Sequence, residues 1–326
     1  MRYNFLKAPA DENMYGMDPK RESRLKTLHK TAAFLHSFQF LLIFVFIATN
    51  YLEGTGVVQI TQQITKWGAP NSTDTTGAKS IGGNFTLTLV QLKMFWADIK
   101  VIIAVFFLLA AADHWFVLFS QTDMGGMYLD SWGLPRLPLA ETGAYDRMIK
   151  YSVSASLMAV AIAIETGITD LTSLSGIFFL MWCCMIFGLL AEYLIQDDKP
   201  KWAWVAHGAG WIPFIAAYSP IFVAYDRAGV ESASKAPAFV TGIVAAEFGT
   251  FVTFGLAQLF YLRYKNMKPR LWGTFHSYAP DRFADETWSP KIARYLSEMM
   301  FLLLSIISKT VLAWTVLGPV LMAKRS

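Results

Sequence analysis

The sequence predicts an all-α membrane protein: a seven-transmembrane helix bundle with a small β-hairpin in the extracellular loop between helices 1 and 2. The chain of 326 residues is 54% hydrophobic and only 16% charged, against roughly a quarter charged in soluble domains. Seven segments are apolar enough to cross a bilayer, which takes about 20 residues. They are 29–52, 93–119, 146–168, 171–195, 202–225, 236–263 and 296–322. The lipid bilayer is therefore the first predicted partner.

Polar stretches, prolines and charges mark the limits of these segments. A polar stretch precedes the first apolar run, which is long enough to remain as an anchor rather than be cleaved as a signal peptide. The sixth segment opens at Pro237 and closes at Arg263, and the seventh carries Pro319 near its end. We expect three parts: a cytoplasmic N-terminal arm at 1–28, the seven-helix bundle at 29–322, and a short extracellular tail at 323–326.

The loop between the first two segments alternates apolar and polar residues. Phe85, Leu87 and Leu89 are interleaved with threonines, and Val58 and Ile60 add β-branched residues earlier in the loop. Such alternation is typical of strands with one buried face. It predicts the β-hairpin, with a flexible polar loop as the alternative.

Basic residues in the loops predict the orientation of the chain. The N-terminal arm up to Lys30 holds seven Lys or Arg residues, and so does the stretch 263–294 between segments six and seven. Cytoplasmic loops are enriched in these residues, so the N-terminus is predicted to be cytoplasmic and the C-terminus extracellular or lumenal. Two glycosylation sequons, at Asn71 and Asn84, lie in a loop that this orientation places outside.

Several classes of function lack support in the sequence. The net charge of +4 is diffuse and no nucleic-acid motif occurs, so no nucleic-acid partner is expected. Cys183 and Cys184 are adjacent in an apolar run and are predicted to be small buried residues rather than a disulfide or metal site. Segments four to seven contain no HExxH, DxD or GxSxG motif. We therefore expect neither an enzyme nor a bound metal.

Lys309 is the main candidate for a functional residue. It is the only charged residue in the window 299–323, and an ionisable group at bilayer depth costs at least ~2.5 kcal/mol on insertion scales. A desolvated lysine amine can attack an aldehyde to form a Schiff base. It could equally bind an anionic substrate in a transporter, or pair with a buried carboxylate to hold the bundle together. These three interpretations stay open at this point.

Other polar residues lie at similar depth in neighbouring segments. His36 in segment one and His114 in segment two are both predicted near the cytoplasmic side, which suggests one polar cavity with a role in proton handling. Asp113 precedes His114, and Glu247 lies in segment six. Each histidine taken alone is more simply a packing residue.

Several motifs resemble the heliorhodopsins, a branch of the retinal-binding rhodopsins. In segment seven, 304–314 (LSIISKTVLAW) resembles the family's lysine motif, and in segment three 151–158 (YSVSASLM) with 166–170 (TGITD) resembles its long signature. His36 and His114 fall where the family has its two cavity histidines. Weaker matches occur at Phe187-Gly188, at Pro213 and at 239–242 (FVTG).

The resemblance implies a light-sensing retinylidene photoreceptor with inverted topology. All-trans retinal would be held as a Schiff base on Lys309, and light would drive its isomerisation. The resemblance further implies a slow photocycle, no pumping in typical members, and a homodimer, while some viral relatives conduct ions. Ser154, Ser156, Met158 and Trp182 are our candidates for the retinal pocket.

Lys150 departs from the family pattern. The family has a glutamate immediately before the Tyr-Ser pair, as the counterion of the protonated Schiff base, and this chain has lysine there. Two cations at 4 Å would repel by roughly 4 kcal/mol at an effective dielectric of 20. Three arrangements would relieve this: a neutral Schiff base, which we favour, a chloride or other anion between the nitrogens, or Asp113 as a displaced carboxylate. A fourth alternative is that the chain binds retinal poorly or not at all. An interfacial, snorkelling Lys150 is the simpler interpretation.

The rival class of function is transport. Lys309 and Lys150 would then bind an anion in a light-independent transporter, or the chain would be a light-gated ion channel. Flash illumination under patch clamp distinguishes these, because a photoreceptor without transport gives a spectral change and no current.

Overall fold

The computed structural model describes residues 19–49, 56–68, 79–81, 85–120, 143–196, 199–231, 238–265 and 290–323. Seven helices account for most of them: α1 (Pro19–Ala48), α2 (Ile99–Ser120), α3 (Gly143–Glu165), α4 (Leu171–Gln196), α5 (Pro200–Glu231), α6 (Ala238–Lys265) and α7 (Pro290–Ala323). Helices α1, α5 and α7 begin at proline, whose fixed φ suits the first helical position and whose missing N–H is not needed there. The predicted seven-helix bundle is confirmed.

The described helices have the length and composition of membrane spans. Six of them contain a long apolar stretch: Lys20–Ala48, Ile99–Phe119, Leu171–Ile195, Pro200–Arg227, Phe239–Arg263 and Tyr295–Gly318. The described side chains of α3 form a shorter apolar stretch, Tyr151–Glu165. Many large apolar side chains, such as Ile212 and Phe38, are exposed on the bundle surface, which suits a hydrocarbon solvent.

A three-stranded antiparallel sheet lies between α1 and α2, so the predicted hairpin is confirmed. Strands β1 (Val57–Gly68), β2 (Lys79–Ile81) and β3 (Phe85–Asp98) are arranged in the order β1-β3-β2. The short third strand was not predicted. The predicted start of the second segment, residue 93, is wrong by six residues, because β3 continues to Asp98 in register with Val57.

Helix α2 begins where the sheet ends. The Asp98 carboxylate accepts a hydrogen bond from the backbone N–H of Lys100 at 2.9 Å, and the Lys100 ammonium lies 3.4 Å from the same carboxylate. An aspartate that accepts from the first turn is a strong N-cap. This local signal sets the boundary between strand and helix.

The sheet is joined to the link between α3 and α4. The backbone N–H of Thr61 donates to the carbonyl of Thr169 at 2.9 Å, and the N–H of Gln63 donates to the Asp170 carboxylate at 3.1 Å. Asp170 also accepts from the backbone N–H of Ser173 at 2.9 Å and so caps α4. The TGITD motif therefore forms the contact between the bundle and the sheet.

The central position of α7 brings its lysine to the middle of the bundle. Helix α7 packs chiefly against α6 and also contacts α1, α2 and α3. Leu312, Ala313 and Leu317 of α7 are fully buried in the main core cluster. The residues that face α7 from the other helices are therefore the ones that can act on Lys309.

Candidate functional site

Lys309 is buried in the bundle, with only 3% of its surface exposed. Its ammonium donates a hydrogen bond to the Ser305 hydroxyl at 2.7 Å, one helical turn earlier on the same face. The nitrogen also lies 5.0 Å from the centre of the Tyr151 ring on α3, within the range of a cation–π contact. These two contacts hold the amine in one place.

Lys309 and Ser308 form part of the wall of a large cavity, with an empty volume of about 810 Å³ that includes the space at its mouth. Small-molecule sites are clefts of about 300–1,000 Å³ with mostly apolar walls. Aromatic and sulfur-containing side chains from α4, α5 and α6 dominate the wall, among them Met181, Met185, Trp211, Phe214, Phe251 and Phe254. This lining fits an apolar molecule with an aldehyde that reacts with the amine, as retinal has.

The structure separates the predicted pocket residues into two groups. Ser154 and Met158 line the cavity. Ser156 is fully buried, donates its hydroxyl to the carbonyl of Ser152 at 2.6 Å, and is not among the lining residues. Trp182 packs against Phe178 and Phe179 on α4 and also lies outside the wall. The backbone of Lys150 belongs to α3, but its side chain is outside the described part of the chain.

The two cysteines of α4 differ in exposure. Cys184 is half-buried and lines the cavity, whereas Cys183 is exposed on the helix surface. The prediction that both are buried is therefore wrong for Cys183, because consecutive residues on a helix point about 100° apart.

A chain of hydrogen bonds connects the cavity wall to Glu192. The Trp211 indole N–H donates to Nε2 of His207 at 3.2 Å, so Nδ1 of His207 carries a proton and donates to the Gln258 carbonyl at 3.0 Å. The Gln258 amide then donates to the Glu192 carboxylate at 3.1 Å and to the carbonyl of Gly188 at 2.8 Å. The donor and acceptor roles are consistent along the whole chain of hydrogen bonds, and they require His207 to be neutral.

Three buried histidines meet between α1 and α2. The rings of His36 and His114 stack with centres 5.6 Å apart, and Nδ1 of His114 lies 3.2 Å from Nδ1 of His29. Nδ1 of His36 lies 3.4 Å from the Gln39 carbonyl oxygen, and the Gln39 amide donates to the Thr310 hydroxyl at 3.1 Å. The structure thus brings the two predicted histidines together, adds His29, and links them to the residue after Lys309.

Two buried carboxyl groups interact electrostatically with Lys309. They are Asp113 on α2 and Glu247 on α6. Asp113 was a predicted site residue, and it precedes His114 of the histidine cluster. Glu247 is fully buried, and neither of its carboxyl oxygens has a hydrogen-bond partner among the described residues.

Sequence reasoning missed most of the cavity wall. Phe214, Phe251 and Phe254 carry no signal that separates them from lipid-facing aromatics in the same helices. Gly255 did carry a signal, because a glycine within a helix suggests a close approach by another group. Here Trp211 occupies the space beside it.

The fold and site together define a class of protein: a seven-helix membrane protein whose last helix presents a buried lysine to a large apolar cavity, as in the retinal-binding rhodopsins. The family model described as Heliorhodopsin matches residues 25–279, so the chain belongs to the heliorhodopsin family. It is a rhodopsin-like, light-sensing integral membrane protein. The matched residues end before α7, and no curated protein matches the chain.

Proposed function

We propose that the protein is a heliorhodopsin-type photoreceptor that carries all-trans retinal as a Schiff base on Lys309. The observation that supports this most directly is the buried amine of Lys309 in the wall of the apolar cavity. Bound retinal supplies a conjugated chain that absorbs visible light and changes shape. The protein supplies the amine, the walls and the exclusion of water.

The residues around Lys309 have separable tasks in this proposal. Ser305 holds the nitrogen at 2.7 Å, and Tyr151 covers it with its ring. The aromatic side chains of α5 and α6 restrict the shape of the ligand. The three histidines and Gln39 provide exchangeable protons on the α1–α2 side of the lysine.

We also propose the orientation in the membrane, the division into three parts and the partners that the sequence predicts. The N-terminus is cytoplasmic, the parts are 1–28, 29–322 and 323–326, and the protein is a homodimer in the bilayer. Lys150 takes the position of the family's counterion. The negative charge opposite Lys309 must therefore come from another residue or from a bound anion such as chloride, unless the Schiff base is neutral.

The test is the reaction of the purified protein with all-trans retinal. We expect a retinal-dependent absorption band and, after borohydride reduction under illumination, an added polyene mass on α7. Lys309→Ala should lose both. The matched control is Lys100→Ala, which removes another buried lysine that is paired with Asp98 outside the cavity. Polyene mass elsewhere in the chain, or none in the wild-type protein, would refute the proposal.

Light-gated ion conduction is the second candidate function. The buried cluster of His29, His36 and His114 favours it, because groups that exchange protons at bilayer depth mark ion and proton paths. Patch-clamp recording with flashes distinguishes the two candidates. A current that follows the membrane potential would establish a channel, and a spectral change without current would establish a photoreceptor alone.

A further inference from the structure

Glu247 is the most poorly compensated polar side chain in the described core. It has 0% exposure, and neither carboxyl oxygen has a hydrogen-bond partner among the described residues. Buried carboxylates are normally paired or hydrogen-bonded, because desolvation of an isolated charge is very costly. Such a group requires an explanation, and no task described so far uses it.

The surroundings of Glu247 identify its partner. Lys309 is the cation that acts on it electrostatically in the described part of the chain. The nearby rings are largely apolar: Phe248 of α6 packs against Phe214 and Phe222 of α5. In an apolar environment with little screening, a cation stabilises the charged form of a carboxyl group.

Tyr218 is a second incomplete polar group in the same place. Its side chain is 1% exposed, its hydroxyl has no hydrogen-bond partner among the described residues, and it interacts electrostatically with Glu247. The two residues therefore form one polar site between α5 and α6.

The charges around Lys309 support this site. The family's carboxylate on α3 is replaced by Lys150, so the chain has two lysines where the family has one lysine and one glutamate. Among the described residues, Asp113 and Glu247 are the carboxyl groups that act on Lys309. Of these two carboxyl groups, Glu247 is the one with no hydrogen-bond partner for either oxygen among the described residues, so it is free to act as the counter-charge.

We propose that Glu247, together with the Tyr218 hydroxyl, is a counter-charge of Lys309 in a chain whose α3 carries Lys150 instead of a carboxylate. The assignment rests on the proposed function only for its role in retinal chemistry. The pairing of Glu247 with Lys309 is a property of the chain itself and holds before any ligand binds.

The groups that can respond to pH around this pair come from several helices. In the described part of the chain, those that interact with Lys309 or Glu247 are His36 of α1, Asp113 of α2, Tyr151 of α3, Tyr218 of α5 and the pair itself on α6 and α7. Comparisons between variants must therefore be made at one fixed pH, so that any difference in a readout is caused by the substitution.

The first experiment uses the apoprotein. Reductive methylation with formaldehyde and cyanoborohydride, read by peptide mass spectrometry, measures how much of Lys309 is neutral at a fixed pH. Glu247→Gln keeps the size of the side chain and removes its charge. We expect methylation of Lys309 to become about tenfold faster, because loss of the counter-charge leaves a larger fraction of its amine neutral. Glu165→Gln is the control, because Glu165 lies at the end of α3 and outside the cavity wall.

The second experiment loads the same proteins with all-trans retinal and records absorption at a fixed pH. We expect a smaller visible band in Glu247→Gln than in wild type or Glu165→Gln, because the positive charge on the linkage is less stabilised. Tyr218→Phe should change the methylation rate of Lys309 and the visible band in the same directions by a smaller factor. It replaces Glu247→Gln as the test variant if Glu247→Gln does not fold.

The outcomes separate the two proposals. If Glu247→Gln, or Tyr218→Phe where the former does not fold, methylates and absorbs like Glu165→Gln, the counter-charge assignment is overturned. If Glu247→Gln accelerates methylation while the wild-type protein takes up no retinal, the pair is supported and the photoreceptor proposal fails. If Asp113→Asn alone changes both readouts, Asp113 is the sole counter-charge and the assignment to Glu247 is wrong.

Discussion

Gly255→Ala should displace the tryptophan that lines the cavity. A Cβ at residue 255 would lie 2.6 Å from Cζ2 and 2.9 Å from Cη2 of Trp211. Carbon atoms pack at about 3.5–4.0 Å, so the indole must move by about 1 Å. That movement weakens the 3.2 Å hydrogen bond to His207 and disturbs the contact with Phe214. Overpacking of this kind costs about 1–3 kcal/mol.

A matched variant in the same helix separates packing from helix propensity. Gly249 has no atom within 4 Å of the Cβ position, so Gly249→Ala should stabilise α6 by up to about 1 kcal/mol. We expect Gly255→Ala to melt at a lower temperature than Gly249→Ala and to show a shifted retinal absorption maximum. Equal melting temperatures and identical spectra for the two variants would refute the packing argument.

Three further predictions concern the hydrogen bonds of Asp170, Ser305 and Gln258. Asp170→Ala should lower the free energy of unfolding by about 1 kcal/mol through loss of the α4 cap. Burial raises the pKa of Asp170, but hydrogen bonds from the backbone N–H groups of Ser173 and Gln63 outweigh it and hold the pKa below its ordinary value of 3.8. This stabilisation is therefore present above that value and lost as pH falls through the lower folded pKa, which thermal melts in acid would show in wild type and not in Asp170→Ala. Ser305→Ala removes the acceptor for the Lys309 amine, costs about 1–3 kcal/mol, and should alter the absorption spectrum. Gln258→Leu removes the hydrogen bonds to His207, Glu192 and the Gly188 carbonyl and should destabilise the protein by a similar amount, measurable by denaturation in detergent.

The sequence was most informative where a single residue contradicts its surroundings. Lys309 stands out because one charge interrupts a long apolar segment, and the structure places it in the bundle centre beside a cavity. Trp182 and Trp211 show the opposite case. Both are tryptophans in apolar helices, yet only Trp211 lines the cavity. The hydrophobicity of a membrane helix does not distinguish a face toward lipid from a face toward a ligand.

Local sequence signals predicted which helices and strands form better than they predicted the residues at which these elements begin and end. Alternation in 85–89 indicated a strand, but nothing in the hydropathy of 93–98 separates the end of that strand from the start of α2. Pairing of these residues with β1 and the cap at Asp98 together decide the boundary. His29 was missed because it lies close to the charged N-terminal arm, where a histidine reads as a surface residue.

The hydrogen bonds between β1 and the α3–α4 link couple movements of the sheet to movements of helix α3. Helix α3 carries Tyr151 over the Lys309 amine, and its far end passes directly into the residues that bind Thr61 and Gln63. A displacement of α3 caused by a change at the amine would therefore be transmitted to the sheet. A fluorescent or spin label on β2 would report that displacement from outside the hydrocarbon layer, without disturbing the cavity.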